Sequence, residues 1–400
     1  MTEDVKLPEI QTFENVVVTP HVRNAAGRTM PSGPIWPDWA SQILARHCRH
    51  GFPEDREPPW PEKVEVYVDE PMIWCGMAHP HFGHFMSEFA PRILQSKQHG
   101  QGSPLLFGCS YPKMIETGAL EDTPRHFRFV LDWYGVKPEE VRFCTKVMQV
   151  KTLKVAAQAE QLVSLTRKKE PPSIAEEYLD LLDENTARNN FVPIPNRVVY
   201  VSRGKMPAFR GNHLAAKYLD TVLEALGVTV YYPEHNPLGH QIATYAGAQE
   251  LIFAEGSAIH GAQILGRSFN NLTILNRRTD TRLVEKNMVP RCKYFSFIDA
   301  LSHIFVFNDP SNKPMPAFAM AKFNLDQLFK DFKDRGIDLA QAWNMAAYNQ
   351  AVEESLMAWV TATQSRPNRQ GLEIDQSTLI ATLRQAGHGA AADHLIAIMP

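Results

Sequence analysis

The chain has 400 residues, of which 44% are hydrophobic and 21% charged, enough folded chain for two domains and too apolar for a disordered one. A formal net charge of -3 excludes a general electrostatic grip on nucleic acid or an anionic bilayer. No run approaches the ~18 uninterrupted apolar residues of a membrane-spanning helix.

The acidic start, Met1 to Lys6, lacks the apolar stretch of a secretory leader. The five cysteines (Cys48, Cys75, Cys109, Cys144 and Cys292) are scattered and form no CxxC pair. They read as reduced thiols of a cytoplasmic protein, with no zinc framework. Residues 1–60 are rich in Pro and Trp and read mostly as loop. Strands are predicted at 64–68, 72–74, 105–107, 141–144 and 147–156, with helices at 82–94 and 124–134. The paired prolines Pro171 and Pro172 mark a junction, followed by a helix over 174–184.

The second half is more regular. Strands at 197–202, 228–232, 251–254 and 272–275 alternate with helices at 212–226, 238–248 and 257–265. Strands apolar on both faces and separated by helices predict a parallel sheet, Rossmann-like, with ligands at its carboxyl edge. No GxGxxG follows the first of these strands, which counts against a dinucleotide site. After residue 310 the pattern turns helical. One apolar stripe carries Leu325, Leu328, Phe329, Phe332 and Leu339; another carries Leu379, Ile380, Leu383, Leu395 and Ile396. These helices are expected to be a brace or an interaction surface. The expected domains are therefore 1–190, an α/β acceptor domain; 191–310, a Rossmann-like nucleotide-sugar domain; and 311–400, a helical extension.

Three segments hold side chains suited to chemistry: residues 77–92 (MAHPHFGHFMSEFAPR), 200–212 (YVSRGKMPAFRGN) and 253–260 (FAEGSAIH). Taken together and in this order, they resemble glycosyltransferase family 61. The matching residues are Gly83, His84 and Phe85 with Ser87 and Glu88; Val201, Ser202 and Arg203 with Arg210 and Asn212; and Glu255 through His260. The resemblance runs over residues 65–280. The continuation His260-Gly261-Ala262-Gln263 departs from the His-Gly-Ala-Gly form of eukaryotic members. The resemblance implies two Rossmann-like domains facing a cleft (the GT-B architecture), inversion at the sugar carbon, and neither metal nor cofactor, the nucleotide sugar being a substrate. It further implies a bacterial-type enzyme of polysaccharide biosynthesis acting on a glycan or glycolipid acceptor. Peripheral membrane contact and homo-oligomer formation stay open.

The residues fit such chemistry physically. A departing diphosphate gains negative charge, which cations or helix N-termini can stabilise. Arg203, Lys205 and Arg210 follow the first strand of the C-terminal sheet, where a diphosphate is expected; the plainer reading is solvated loop cations. Asn212 is expected at the start of the next helix. Glu255 suits ribose hydroxyls, and Gly256 with Ser257 suits phosphate at a helix start; otherwise Ser257 is an N-cap and Glu255 a first-turn charge. His260 reads as a packed helix residue. His79, His81 and His84 lack zinc spacing. His84 and Glu88 share a helical face, so either could take the acceptor's proton, Glu88 being preferred and His84 orienting the sugar; alternatively His84 is the base and Glu88 fixes its tautomer. Both could also be structural. The competing readings are an NAD-dependent dehydrogenase or epimerase, and a non-catalytic scaffold whose C-terminal helices bind a partner.

Overall fold

The computed structural model describes residues 6–22, 30–49, 51–110, 112–161, 174–279, 281–309, 313–364 and 376–398. The expected junction at 166–172 lies outside these residues. The chain forms two compact units: Met1–Val192 with Ser257–Ser268 and Val284–Lys293, and Pro193–Gly256 with Phe269–Leu283 and Tyr294–Pro400. Beside the expected ranges, two short stretches of 191–310 sit with the first unit, and the residues after 310 sit with the second.

The first unit contains β1 (Gln11–Thr19), β2 (Gly33–Pro34), β3 (Cys48–Arg49), β4 (Phe52–Pro53), β5 (Val66–Val68), β6 (Met72–Ala78), β7 (Leu105–Cys109), β8 (Val141–Cys144) and β9 (Met148–Val155). Its main sheet runs β2-β1-β9-β6-β7-β8, with β5 also paired to β9. Strands β6, β7 and β8 are parallel, and so are β6 and β9. The chain lays β7 and β8 on one side of β6 and β9 on the other, so the strand order reverses between β6 and β9. In an open α/β sheet, ligands bind at the carboxyl ends of the strands flanking such a reversal. The largely loop reading of residues 1–60 is corrected by β1, nine residues antiparallel to β9. Asn15, at φ 55, breaks the alternation ahead of the buried run Val16, Val17 and Val18, which hides the period of a strand.

The second unit holds β10 (Asn196–Val201), β11 (Asn212–His213), β12 (Thr229–Tyr231), β13 (Ala248–Ala254), β14 (Phe269–Leu275), β15 (Cys292–Ile298), β16 (Leu301–Phe305) and β17 (Met320–Phe323). The main sheet is β12-β10-β13-β14-β15. Strand β10 is parallel to both β12 and β13, and β13 is parallel to β14. Here the reversal falls between β10 and β13. The expected helix over 212–226 begins at Ala216, because Asn212 and His213 instead pair with β17 in a small sheet β11-β17-β16. The helices Leu325–Lys333, Met345–Gln364, Ser377–Gln385 and Gly389–Ala397 share one apolar core with the strands of this unit. The chain is thus α/β, with two parallel-rich, Rossmann-like sheets and C-terminal helices. Among the described residues no helix is long and apolar enough to cross a membrane.

Candidate functional site

In the first unit, β6 delivers the chain straight into the histidine-rich segment at the strand-order reversal. The expected helix over 82–94 is three pieces: α-helix Phe82–His84, π-helix Phe85–Phe89 and α-helix Ala90–His99. Pro91 explains the interruption. It has no N–H to donate to the carbonyl of Ser87, four residues back. That carbonyl accepts from Gln161 Nε2 at 3.3 Å, and the carbonyl of Glu88 accepts from Gln158 Nε2. π-turns of this kind concentrate at functional sites.

The Glu88 side chain, only 4% exposed, is surrounded by donors. Oε1 accepts from His84 Nδ1 at 2.7 Å and Arg49 Nε at 3.0 Å; Oε2 accepts from His47 Nε2 at 3.0 Å and Arg49 Nη2 at 3.2 Å. Burial works to raise the Glu88 carboxyl, but hydrogen bonds from His47, His84 and Arg49 outweigh it and hold the group well below the usual carboxylate range. The same arrangement fixes His84. A carboxylate only accepts, so Nδ1 carries the proton and Nε2 presents a lone pair. Arg49 Nη2 lies 3.3 Å from the same Nδ1, and the shorter, charge-assisted contact with Glu88 decides the tautomer. The His84 side chain is 40% exposed, and among the described residues nothing hydrogen-bonds its Nε2. His79 and His81 make ring contacts with His84. Burial foremost, then the charge of His84, pushes His79 down to about 4. Among the described residues no group of His, Cys, Asp or Glu is set to hold a metal ion.

The segment 257–265 is a 3₁₀-helix, Ser257–Ile264, belonging to the first unit. It packs on Gly83, where an added methyl would sit 3.1 Å from Ser257 Cβ and 3.2 Å from His260 Cδ2. Glycine at 83 is what lets this helix lie beside His84.

In the second unit, Arg203 leaves the carboxyl end of β10 and its guanidinium lies against Gly256, just past the end of β13, so closely that a methyl group there would overlap it. Arg203 donates from Nη2 to the carbonyl of Gly211 at 2.7 Å, and among the described residues its buried Nε has no hydrogen-bond partner. Two further arginines follow β14. Glu255 Oε2 accepts from the Arg277 N–H at 2.8 Å, and Oε1 accepts from Arg278 Nε at 2.6 Å and also from Nη2. Glu255 is wholly buried. Both oxygens expected to meet the ribose already accept hydrogen bonds from Arg277 and Arg278. Burial, reinforced by the neighbouring charge of Arg203, pushes Arg277 down to about 10. Three guanidinium groups thus converge on one sheet edge with one carboxylate among them.

The remaining predicted residues frame this edge. Asn212 donates from Nδ2 to the Arg203 carbonyl at 2.9 Å and accepts from the His213 N–H, so it holds the loop. Lys205 is exposed and places Nζ 3.8 Å from the centre of the Tyr232 ring; exposed Arg210 lies over Phe209. The sequence reading passed over His47 and Arg49, because β3 and β4 carry no periodic signal. It also passed over Arg277 and Arg278, although two arginines directly after a buried strand were a legible sign.

Two parallel-rich sheets, each with a strand-order reversal flanked by polar side chains, are a frame in which ligands bind at the strand ends, and many chemistries use it. Residues 82–266 match the family model Glycosyltransferase 61. That stretch is a glycosyltransferase 61 domain, and the protein is an enzyme that transfers a sugar from a donor to an acceptor. None of the curated proteins matches the chain.

Proposed function

We propose that the protein is an inverting, metal-independent glycosyltransferase of the GT-B kind that uses a nucleoside-diphosphate sugar. Arg203, Arg277 and Arg278 hold the diphosphate, and His84 is the base. The observation that carries the donor assignment is the convergence of these arginines on the reversal point of the β10–β13 sheet edge. Guanidinium groups bind phosphate oxygens bidentately, and in a partly buried site they stabilise the charge that develops on the leaving oxygen. Glu255 positions Arg277 and Arg278; Lys205, Arg210, Asn212, Gly256 and Ser257 complete the expected binding set.

In the reaction, the acceptor hydroxyl gives its proton to His84 Nε2 while its oxygen attacks the anomeric carbon. The bond from that carbon to the phosphate oxygen breaks, and the diphosphate leaves with the electron pair. The sequence alone preferred Glu88 as base. A carboxylate holding four hydrogen bonds and kept strongly acidic is a poor proton acceptor, so the alternative pairing is favoured, in which Glu88 orients the imidazole and stabilises its charged form. The acceptor is a glycan or glycolipid hydroxyl and the setting a cytoplasmic step of bacterial polysaccharide assembly; both follow from the family resemblance.

The test is calorimetric titration with UDP, GDP, CMP and NAD. UDP or GDP is expected to bind, more tightly than CMP, which lacks the second phosphate, and Arg203→Ala or Arg278→Ala to weaken it by ~10- to 100-fold, the range for loss of a charge-assisted bond. Binding of NAD alone, or unchanged nucleotide affinity in both variants, would remove the assignment.

A further inference from the structure

A chain of buried polar side chains in the first unit ends on His260, beside His84. Arg291 and Glu160 are both essentially inaccessible, with Arg291 Nη2 2.7 Å from Glu160 Oε1. Glu160 Oε2 accepts from Asn287 Nδ2 at 3.0 Å and from Gln263 Nε2. Gln263 is itself buried, and its Oε1 lies 2.6 Å from His260 Nδ1. The 3₁₀-helix makes this last contact natural: with three residues per turn, side chains at i and i+3 eclipse one another, so His260 and Gln263 project side by side.

The direction of each hydrogen bond follows from the chemistry of the partners. A carboxylate already paired with a guanidinium accepts and does not donate, so the Gln263 amide turns its NH₂ to Glu160. Its carbonyl oxygen therefore faces His260, whose Nδ1 must supply the proton. Burial pushes His260 down to about 4, which keeps the ring neutral. Among the described residues nothing hydrogen-bonds its Nε2. The ring lies against Gly83, the residue before His84.

We propose that Arg291, Glu160 and Gln263 are positioning residues that fix His260 as the Nδ1-protonated imidazole, so that its Nε2 accepts a hydrogen bond from a carbohydrate hydroxyl beside the base His84. This rests on the transferase reading above. It gives the site two imidazoles with lone pairs presented by different devices. His84, oriented by a carboxylate, can become charged and is suited to take a proton. His260, oriented by a neutral amide that offers no negative charge to an imidazolium, is suited to hold a hydroxyl in place.

The test combines spectroscopy and kinetics on the full chain. With ¹⁵N-labelled histidine, and His260→Gln to assign the signal, His260 is expected to be neutral, protonated at Nδ1, and untitrated from about pH 5.5 to about pH 8. Turnover is then followed as release of nucleoside diphosphate from UDP-glucose, UDP-N-acetylglucosamine and GDP-mannose, with and without chitotriose or maltotriose. His260→Ala is expected to lower kcat/KM by ~10- to 100-fold while leaving affinity for the free nucleotide unchanged. A loss in both hydrolysis and transfer identifies a donor hydroxyl; a loss in transfer alone identifies an acceptor hydroxyl. Gln263→Leu leaves Nε2 in place but removes the amide, and is expected to give mixed tautomers with an intermediate loss, which keeps the test open should His260→Ala fail to fold. A ring protonated at Nε2, or His260→Ala turning over as wild type in an active enzyme, overturns the inference. Wild-type protein inert toward every donor and blind to every nucleotide defeats the transferase reading, and the carbohydrate ligand with it.

Discussion

Arg203 owes its place to Gly256. The backbone of Gly256 lies outside the left-handed region, so alanine costs nothing in φ, and its methyl meets only the far end of a flexible side chain. Gly256→Ala is therefore expected to fold as wild type, with an unchanged melting temperature, yet to bind nucleotide about tenfold more weakly because the guanidinium is displaced. At the other cluster, Glu88→Gln keeps the size of the side chain but can present an N–H to His84 and no longer balances an imidazolium. Turnover is expected to fall by ~10²- to 10⁴-fold, as when the orienting carboxylate of a triad is neutralised, with nucleotide affinity retained. A wild-type rate, with chemistry limiting, would exclude Glu88 from both proposed roles. His213 carries the pH prediction. It is buried, donates from Nε2 to the Asn276 carbonyl at 3.0 Å, and burial foremost pushes it down to about 4. Between that value and the ordinary 6.5 the unfolded chain binds a proton that the folded one refuses, so this stability is present above pH 6.5 and lost as pH falls toward 4. The full effect is at most about 3 kcal/mol. His213→Gln keeps a donor for Asn276 without titrating. The difference in melting temperature between wild type and variant is expected to narrow as pH drops from 7.5 toward 5 (approximate working limits). Taking the difference cancels the opposite-signed contribution of Asp220, which burial raises to about 6.

The π-turn at Phe85–Phe89 shows how an element can belong to the site and not only to the fold. Pro91→Ala restores an N–H that can close on the Ser87 carbonyl, displacing Gln161 and letting the segment wind as α-helix. The melting temperature is expected to stay or rise, since alanine is the better helix former, while kcat falls at least tenfold (an order-of-magnitude expectation from misplacing an acid–base pair). Stability and activity lost together would point to a merely structural proline. This element also marks where the sequence stops being legible. Strands β6 to β8, β10 and β12 to β14 could be read because each is a short run rich in apolar residues, β9 because its residues alternate, and the helices because their apolar residues recur at helical spacing. The pairing of His84 with Glu88 could be read from a spacing of four. The π-turn could not, because the glutamines that stabilise it lie some seventy residues along the chain and have no local signature. Arg49 and His47 were hidden for the same reason: only the fold brings a two-residue strand to Glu88. The engagement of Glu255 by Arg278 could not be foreseen from a motif that places the carboxylate before a glycine and shows nothing of β14.

On the scale of the whole molecule, the C-terminal helices decide how far the nucleotide-binding sheet depends on sequence far from it. Leu328, Phe332, Leu339, Leu379, Leu383 and Leu395 of the predicted stripes are all buried; Ile396 stays 44% exposed. They share a core with Trp359, which is fully buried, donates from its indole N–H to the Phe318 carbonyl at 2.9 Å and packs 4.6 Å from Phe307. The same core reaches Tyr200 on β10 and Ile252 and Ala254 on β13, the strands that carry Arg203 and Glu255 at their ends. A surface brace could be trimmed with little loss, whereas part of a core cannot. Leu395→Ala in the last helix, fully buried in the wild type, removes apolar contact and leaves a cavity, expected to cost about 2–4 kcal/mol. The measurement is denaturant unfolding, with the midpoint lowered and the slope unchanged. Below the lowered midpoint nucleotide affinity is expected to match wild type, since no ligand-contacting group has been touched. Deleting residues 366–400 removes the contacts of Leu379, Leu383 and Leu395 at once and is expected to give poorly soluble protein that no longer binds nucleotide. An unchanged midpoint for Leu395→Ala would mean that the terminal helix does not support the sheet. Loss of nucleotide affinity in a Leu395→Ala protein of normal stability would mean that it acts on the site by some route other than the core.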